Sequence, residues 1–357
     1  MAGLIDLYAQ AGQSPWLDNL RRDWTRDGTL QGWIDRGIRG VTSNPTIFAK
    51  GIQASNAYDE QLLATPASTS TEEAYWQLAV VDIQEACDLL LPIHRSSEGE
   101  DGFVSLEVSP YLARETQATV KAGLELVERI QRPNLMVKVP ATIEGLEAIA
   151  ELTAAGVCVN VTLIFSIDRY VAVMDAYLEG LRRRRAQGGD LSSIRSVASF
   201  FVSRIDSAVD ARLEDVDHGR SAVAQARRAA QVHAERFATP LALELLASGG
   251  RVQRPLWAST STKNPLFPDL LYVDSLVGPG SVNTLPDATA LAFDDHGDCS
   301  PHIGDELEAS LAWLNGLVGK GIDLEVITET LEAEGLLSFQ ASFDELLAAL
   351  EAKRNAG

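Results

Sequence analysis

A closed (β/α)8 barrel of the TIM type is the fold class this sequence predicts, and three observations predict it. Eight short strand-like runs alternate with longer stretches of helical apolar spacing, the pattern of a parallel sheet covered by helices. Eight repeats close into a barrel more readily than they form an open doubly wound sheet. The open sheet is the competing fold and calls for a glycine-rich phosphate turn after the first strand, but no Gly-x-Gly-x-x-Gly stands there. Finally, polar residues recur on a single parity of strand after strand, as they do where strands line one enclosed axis.

The elements are taken in order. Strand-like runs fall at residues 15–20, 40–44, 103–109, 135–140, 158–165, 196–203, 255–261 and 271–276. They are five to eight residues long, and most end at or beside Pro, Asn or Ser. Helical spacing occupies 71–91, 111–130, 143–155, 168–185, 204–214 with 222–237, and 240–247. Two additions decorate the repeat: a helical insertion over about 55–95, after the second strand, and a C-terminal helical extension over about 303–355. The barrel core spans about 14–290, and no linker or low-complexity tract divides the 357 residues, so a single domain is expected. In the extension, Leu336, Phe339, Phe343, Leu346, Leu347 and Leu350 recur at helical spacing. Packing against the barrel is the first reading of that stripe; a dimer face or a site lid is the second.

Composition narrows the function. Net charge is -20, which repels nucleic acid and anionic membranes and leaves small molecules, or copies of the same chain, as partners. A phosphate ligand would need local positive charge against that field. Cys87, Cys158 and Cys299 are widely spaced, which fits a reducing compartment and gives no zinc knuckle. The start, Met-Ala-Gly-Leu-Ile-Asp-Leu-Tyr, lacks the basic region and long apolar core of a secretion signal. A soluble, cytoplasmic protein is expected, and a monomer and a homodimer both fit.

The chemistry is concentrated on the strands. Lys138 lies inside the run Asn-Leu-Met-Val-Lys-Val-Pro. Alternation turns Leu135, Val137 and Val139 one way and Met136 and Lys138 the other. If the second face lines an enclosed interior, desolvation favours the neutral amine, the form that attacks carbonyls and makes Schiff bases. The competing reading is a lysine snorkelling to water from a strand end. On neighbouring strands Ser105, Glu107 and Ser109 share one face, as do Asn160 and Thr162, and Thr42 and Asn44; Asp18, Ser199 and Ser259 add to the set. Singly, each has an ordinary explanation. Glu107 fits an exposed edge, Thr162 a common strand residue, and Asp18 and Asn44 helix N-caps, with Pro45 behind Asn44. Together they form a polar constellation at the C-terminal ends of strands, where barrel enzymes carry their working groups.

At these residues a family resemblance appears. Gly-Val-Thr-Ser-Asn-Pro-Thr-Ile-Phe (40–48), Val-Ser-Leu-Glu-Val-Ser-Pro (104–110), Val-Lys-Val-Pro-Ala-Thr-Ile-Glu-Gly-Leu (137–146), Val-Asn-Val-Thr-Leu-Ile-Phe-Ser (159–166), Ala-Ser-Phe-Phe-Val-Ser-Arg-Ile-Asp (198–206) and Trp-Ala-Ser-Thr-Ser-Thr-Lys-Asn-Pro (257–265) resemble the transaldolases, in the order in which that family's barrel strands occur. The resemblance implies a Schiff-base transferase of the pentose phosphate pathway. Such an enzyme moves a dihydroxyacetone unit from sedoheptulose 7-phosphate to glyceraldehyde 3-phosphate and makes erythrose 4-phosphate and fructose 6-phosphate. It implies no metal and no organic cofactor. By motif position, Lys138 would form the Schiff base, Glu107 and Thr162 would hold a water, and Asp18 would be the acid/base group. Asn44, Asn160 and Ser199 would bind sugar hydroxyls, and Arg204 the phosphate. Where the compact form of the family has an arginine after the seventh strand, this chain offers Lys263 beside Ser259, a point charge in place of a bidentate fork. The length and Gly-Pro-Gly-Ser-Val-Asn-Thr-Leu-Pro (278–286) are similar to the longer subgroup of the family. The alternatives are a fructose 6-phosphate aldolase-like cleavage enzyme and a non-catalytic barrel that binds sugar phosphates.

Three further motifs have plainer readings. Arg182–Arg185 is a solvated helix end placed where the macrodipole favours cations. The Gly278–Gly280 turn offers amides to an anion, yet reads first as a loop. Asp294-Asp295-His296 resembles a fragment of a metal site, but five scattered histidines argue against a metal-dependent aldolase.

Overall fold

The computed structural model describes residues 3–214 and 217–356. Its eight strands are all parallel and close in sequence order: β1 (Ser14–Leu17), β2 (Val41–Thr42), β3 (Val104–Glu107), β4 (Leu135–Pro140), β5 (Val159–Ile164), β6 (Ser196–Phe201), β7 (Arg254–Ala258) and β8 (Val282–Leu285), with β8 pairing back onto β1. Helices surround this (β/α)8 barrel. All but one of the strand residues are buried, the partial exception being Arg254, because helices cover the outer face while side chains fill the inner one.

Several helices begin on a capping side chain just past a strand. Asn44, Thr142 and Ser166 accept hydrogen bonds from Ile47, Gly145 and Arg169 amides at the starts of Pro45–Ala54, Ile143–Ala155 and Ile167–Ala186. These caps set the chain's direction as it leaves the C-terminal rim, where the site lies. The opposite rim is closed by Asp101. This 1 % exposed carboxylate accepts from Ser14 Oγ (2.8 Å) and Trp16 Nε1 (3.2 Å) and is paired with Arg39 (2.8 Å) and Arg254 (3.1 Å). A buried charge held by this many donors is a plug, not a reactive group.

The sequence-based placement of the eighth strand at 271–276 is wrong. Leu271–Ser275 is a short helix, and the closing strand is Val282–Leu285. The run Leu-Tyr-Val-Asp-Ser-Leu satisfies both periodicities over so short a length. In the fold, the Tyr272 hydroxyl turns to Asp206 at 3.0 Å. The true strand, Val-Asn-Thr-Leu, is half polar and follows Gly-Pro-Gly, so its apolar signal is weak. That Gly-Pro-Gly segment is a loop entering β8 at the N-terminal rim, with the Gly280 amide on the Gly12 carbonyl at 3.0 Å.

The insertion is helical, as expected, and comprises Asp59–Ala64 and Thr71–Ser96 behind Pro45–Ala54. It is tied to the barrel by the fully buried pair Arg22–Asp82, whose guanidinium also lies over the Tyr58 ring at 4.4 Å. The extension forms Leu307–Gly316 and the long helix Leu324–Ala356. The stripe read from sequence packs inward: Leu336, Phe339, Phe343, Leu346 and Leu350 are buried and Leu347 is partly so. Arg182 and Arg183 pair with Glu179 and Glu147 on the outer helices. His296 sits on the surface between Asp295 and Asp269.

Candidate active site

A polar cleft at the C-terminal rim has a volume of about 580 Å³. Its floor carries Lys138, which the inward parity of β4 aims at the barrel axis, 6 % exposed. The snorkelling reading is excluded by that burial. Nζ donates to the Ser43 carbonyl at 3.2 Å and stands 3.1 Å from Oε2 of Glu107. The pair follows from strand register: Glu107 on β3 is directly opposite Lys138, and Lys138 directly opposite Asn160 on β5. Residues paired in register point to the same side of a sheet, so the three side chains meet inside the barrel.

Glu107 lies beneath the cleft surface, 3 % exposed. Its contact with the amine is an ion pair by distance but is not aligned as a hydrogen bond, and neither carboxylate oxygen accepts one from the protein. Burial pushes its carboxyl above the usual carboxylate range; the Lys138 charge opposes that rise and Asp18 adds to it. Asp18 follows β1 by one residue, its amide still bonded to Leu285 of β8. Its Oδ1 accepts from the Thr42 hydroxyl at 2.8 Å, and Thr42 in turn meets Thr284 Oγ1 at 2.6 Å. Burial raises the Asp18 carboxyl too, against the Lys138 charge and the Thr42 bond. Two carboxyls thus flank one amine, each poised to hold or release a proton at a higher pH than an exposed carboxyl would.

Thr162 lines the cleft, and its buried hydroxyl has no protein partner. It sits where the β5–β6 register slips between Val161 and Ile164. The next residue, Leu163, has φ of 60°, left-handed backbone that a leucine adopts at a cost of about 1–2 kcal/mol. The bulge ends the even alternation of β5 at the point where Thr162 faces the cleft.

The remaining expected residues divide into two groups. Asn44, Ser199, Arg204, Ser259 and Lys263 all line the cleft. Asn44 combines this with the N-cap role that sequence offered as its alternative, its Oδ1 accepting the Ile47 amide at 3.0 Å. Asn160 does not reach the cleft surface. Its Oδ1 accepts from Ser199 Oγ at 2.8 Å and its Nδ2 donates to Ser105 Oγ at 2.9 Å, so both ends are committed to the protein. Arg204, half-buried at the start of Ser203–Asp210, lies over Phe201 at 5.6 Å, and desolvation lowers its pKa. Lys263 is exposed and donates to Ser261 Oγ at 2.6 Å. Ser259, at φ of 56°, turns the chain after β7 and meets Ser203 Oγ at 2.9 Å.

Sequence reasoning set Thr42 on the inward face without giving it a role, and missed Thr284, Phe201, Lys50, and Ser338 and Phe339 of the extension as cleft residues. Thr42 carried a readable signal, its shared face with Asn44. Thr284 was out of reach because its strand was misplaced. Among the described residues no three His, Cys, Asp or Glu side chains gather as a metal site.

A buried amine between two carboxyls at the C-terminal ends of barrel strands, under a cleft with cations on its walls, marks a (β/α)8 barrel enzyme acting on a small anionic molecule. Residues 15–350 match the family described as Transaldolase/Fructose-6-phosphate aldolase, and the chain belongs to that family. The curated transaldolase of Acidothermus cellulolyticus is 47 % identical, covering 97 % of this chain and 95 % of its own. That of Frankia alni is 44 % identical over 97 % and 96 % of the two chains. Transaldolase 1 of Streptomyces coelicolor is 44 % identical over 98 % and 94 %.

Proposed function

We propose that this chain is a transaldolase, a transferase that moves a dihydroxyacetone unit between sugar phosphates through a Schiff base on Lys138. The single observation that carries the reading is the Lys138–Glu107 pair on the floor of a cleft whose walls bear Arg204 and Lys263. The donor is sedoheptulose 7-phosphate and the acceptor glyceraldehyde 3-phosphate, with erythrose 4-phosphate and fructose 6-phosphate as products.

In this reading Lys138 adds to the ketose carbonyl, and loss of water from the carbinolamine gives an iminium. The iminium draws electrons from the bond between the third and fourth carbons. Asp18 takes the proton of the fourth-carbon hydroxyl, that bond breaks, the aldose leaves, and an enamine remains on Lys138. The enamine attacks the second aldehyde, Asp18 returns the proton, and hydrolysis of the new iminium frees the product ketose. Glu107 moves protons during formation and loss of the carbinolamine through a water shared with Thr162. Glu107 Oε1, which has no partner, and the unpartnered hydroxyl of Thr162 support that assignment. Such proton transfer typically contributes about 10²–10⁴-fold. Asn44 and Ser199 face the sugar hydroxyls, with Asn160 fixing Ser199 from behind; Arg204, Lys263 and Ser259 take the phosphate. We treat barrel and extension as one domain, since the extension supplies part of the cleft wall, and place the enzyme's work in the cytoplasm, which the three unpaired cysteines support.

Borohydride reduction in the presence of fructose 6-phosphate tests the reading. A three- or six-carbon adduct mapped to Lys138, with erythrose 4-phosphate converted to sedoheptulose 7-phosphate, is expected. An adduct with release of dihydroxyacetone alone would instead fit the cleavage enzyme, and no adduct would fit a binding protein.

A further inference from the structure

We propose that Phe339, carried by the long helix of the extension, is the wall that keeps water from the carbon nucleophile formed on Lys138 and so sets the ratio of transfer to release. The inference rests on the transaldolase reading and names a residue that acts on its intermediate.

The geometry is specific. The Phe339 ring centre stands 5.6 Å from Lys138 Nζ, the ring is 7 % exposed, and both residues line the same cleft. A phenyl group at that distance from the amine leaves room for the planar three-carbon unit bound to it and little for bulk water. The ring is also held in place. One face of the helix carries Gly335, Phe339, Ser342 and Phe343, at spacings of four, seven and eight residues. A Cβ at Gly335 would come within 3.0 Å of Leu163 Cδ2, so the missing side chain lets the helix ride close over the end of β5. On the far side, Thr46 Oγ1 donates to Ser342 Oγ at 2.8 Å, Phe343 meets the Tyr75 ring edge-on at 5.5 Å, and Tyr111 donates to Asp344 at 2.6 Å. The helix therefore bridges the cleft mouth from β5 to the insertion, with Phe339 over the amine.

The chemistry at risk is plain. The enamine left after cleavage carries nucleophilic electron density on the carbon that must attack the acceptor. If solvent donates a proton to that carbon, the enamine becomes an iminium. Water then adds to it, the carbon–nitrogen bond breaks, and dihydroxyacetone leaves with the amine regenerated. An aromatic hydrocarbon wall supplies no proton and admits no water chain.

The test compares Phe339→Ala and Phe339→Leu with the unmodified enzyme. Fructose 6-phosphate is supplied with and without erythrose 4-phosphate in deuterated water, and released dihydroxyacetone is counted per transfer event. This ratio is independent of how much enzyme is folded. The alanine variant is expected to raise it about tenfold, the rate equivalent of a modest loss of protection, with deuterium on the carbon that would have attacked the acceptor. The leucine variant, which keeps apolar bulk, falls between. An unchanged ratio in the alanine variant, with Lys138 still trapped by borohydride, overturns the proposal. Failure of trapping in the unmodified enzyme would instead remove the Schiff-base reading beneath it.

Discussion

Nζ of Lys138 and Oε2 of Glu107 lie 3.1 Å apart as direct neighbours in the β3–β4 register, both almost wholly withdrawn from solvent. Two charges in this position stabilise each other only as a pair, since either alone would carry the full cost of burial. The pair is therefore a structural unit as well as a chemical one.

That unit makes a thermodynamic cycle informative. Lys138→Met abolishes transfer and leaves Glu107 buried without its partner, costing roughly 3–5 kcal/mol at neutral pH, as broken buried pairs do. The loss is smaller near pH 5, because a carboxyl whose folded pKa is raised contributes stability below its unfolded pKa and loses it as pH rises through the folded one. Adding Glu107→Gln restores most of the stability but none of the activity. Urea titrations of the two variants check this, and equal stabilities would contradict it.

Asp18 governs the acid side of the rate profile. Its carboxyl is raised by burial and works as a base only when ionised. The cleavage rate therefore climbs with pH along a limb centred above the ordinary carboxylate range. Asp18→Asn removes that limb and slows cleavage by about 10²–10⁴-fold, while borohydride still traps the imine. A limb that persists in the asparagine variant assigns the base elsewhere.

Thr162→Val keeps the shape of the side chain and removes its hydroxyl. Because that hydroxyl has no protein partner, stability changes by less than about 1 kcal/mol. Imine formation, followed by stopped-flow trapping, slows roughly ten- to hundred-fold. A loss confined to stability would count against a positioned water.

The phosphate contacts separate by burial. Arg204 is half-buried and Lys263 exposed, so Arg204→Ala raises the KM for phosphorylated acceptors by about tenfold or more, the expected effect of losing a charged hydrogen bond of roughly 1.5–3 kcal/mol. Lys263→Ala raises it less, and Lys263→Arg lowers it. The unphosphorylated glyceraldehyde serves as the control, and an equal change with both acceptors would sink the assignment.

Asp206 provides a stability signal unrelated to catalysis. It accepts from the Ala222 amide and the Tyr272 hydroxyl, and burial raises its carboxyl to about 6. Between the unfolded value of 3.8 and about 6 the folded state holds more protons, so this residue's contribution to stability falls as pH rises through that window and is flat above it. Asp206→Asn removes that pH dependence, about 3 kcal/mol in total across the window, measured by denaturant unfolding at pH 4, 5, 6 and 7.

Much of this was legible in the sequence where one side of a strand is apolar and the other chemical. The run around Lys138 matches β4 to the residue, and β3, β5 and β6 are each placed within their expected runs. Register was the missing link. Parity gives the face on which Glu107 and Lys138 lie, but only pairing across strands makes them neighbours. Asn160 illustrates the same limit, since nothing local reveals that its amide is spent on Ser105 and Ser199. β8 failed because two of its four residues are polar and because Leu271–Ser275 imitates a strand. Phe339 was visible as part of an apolar stripe, yet its place over the amine depends on a contact more than two hundred residues away along the chain.

The near touch of Gly335 and Leu163 reaches beyond this one molecule. Position 163 already bends backwards at a leucine, and position 335 has only a hydrogen where other residues carry carbon. A methyl group at 335 asks the Leu163 side chain to give by a few tenths of an ångström, or the helix to rise off β5 by as much. The two positions are coupled through space, and a library that varies both together is expected to recover working sequences that varying either alone discards.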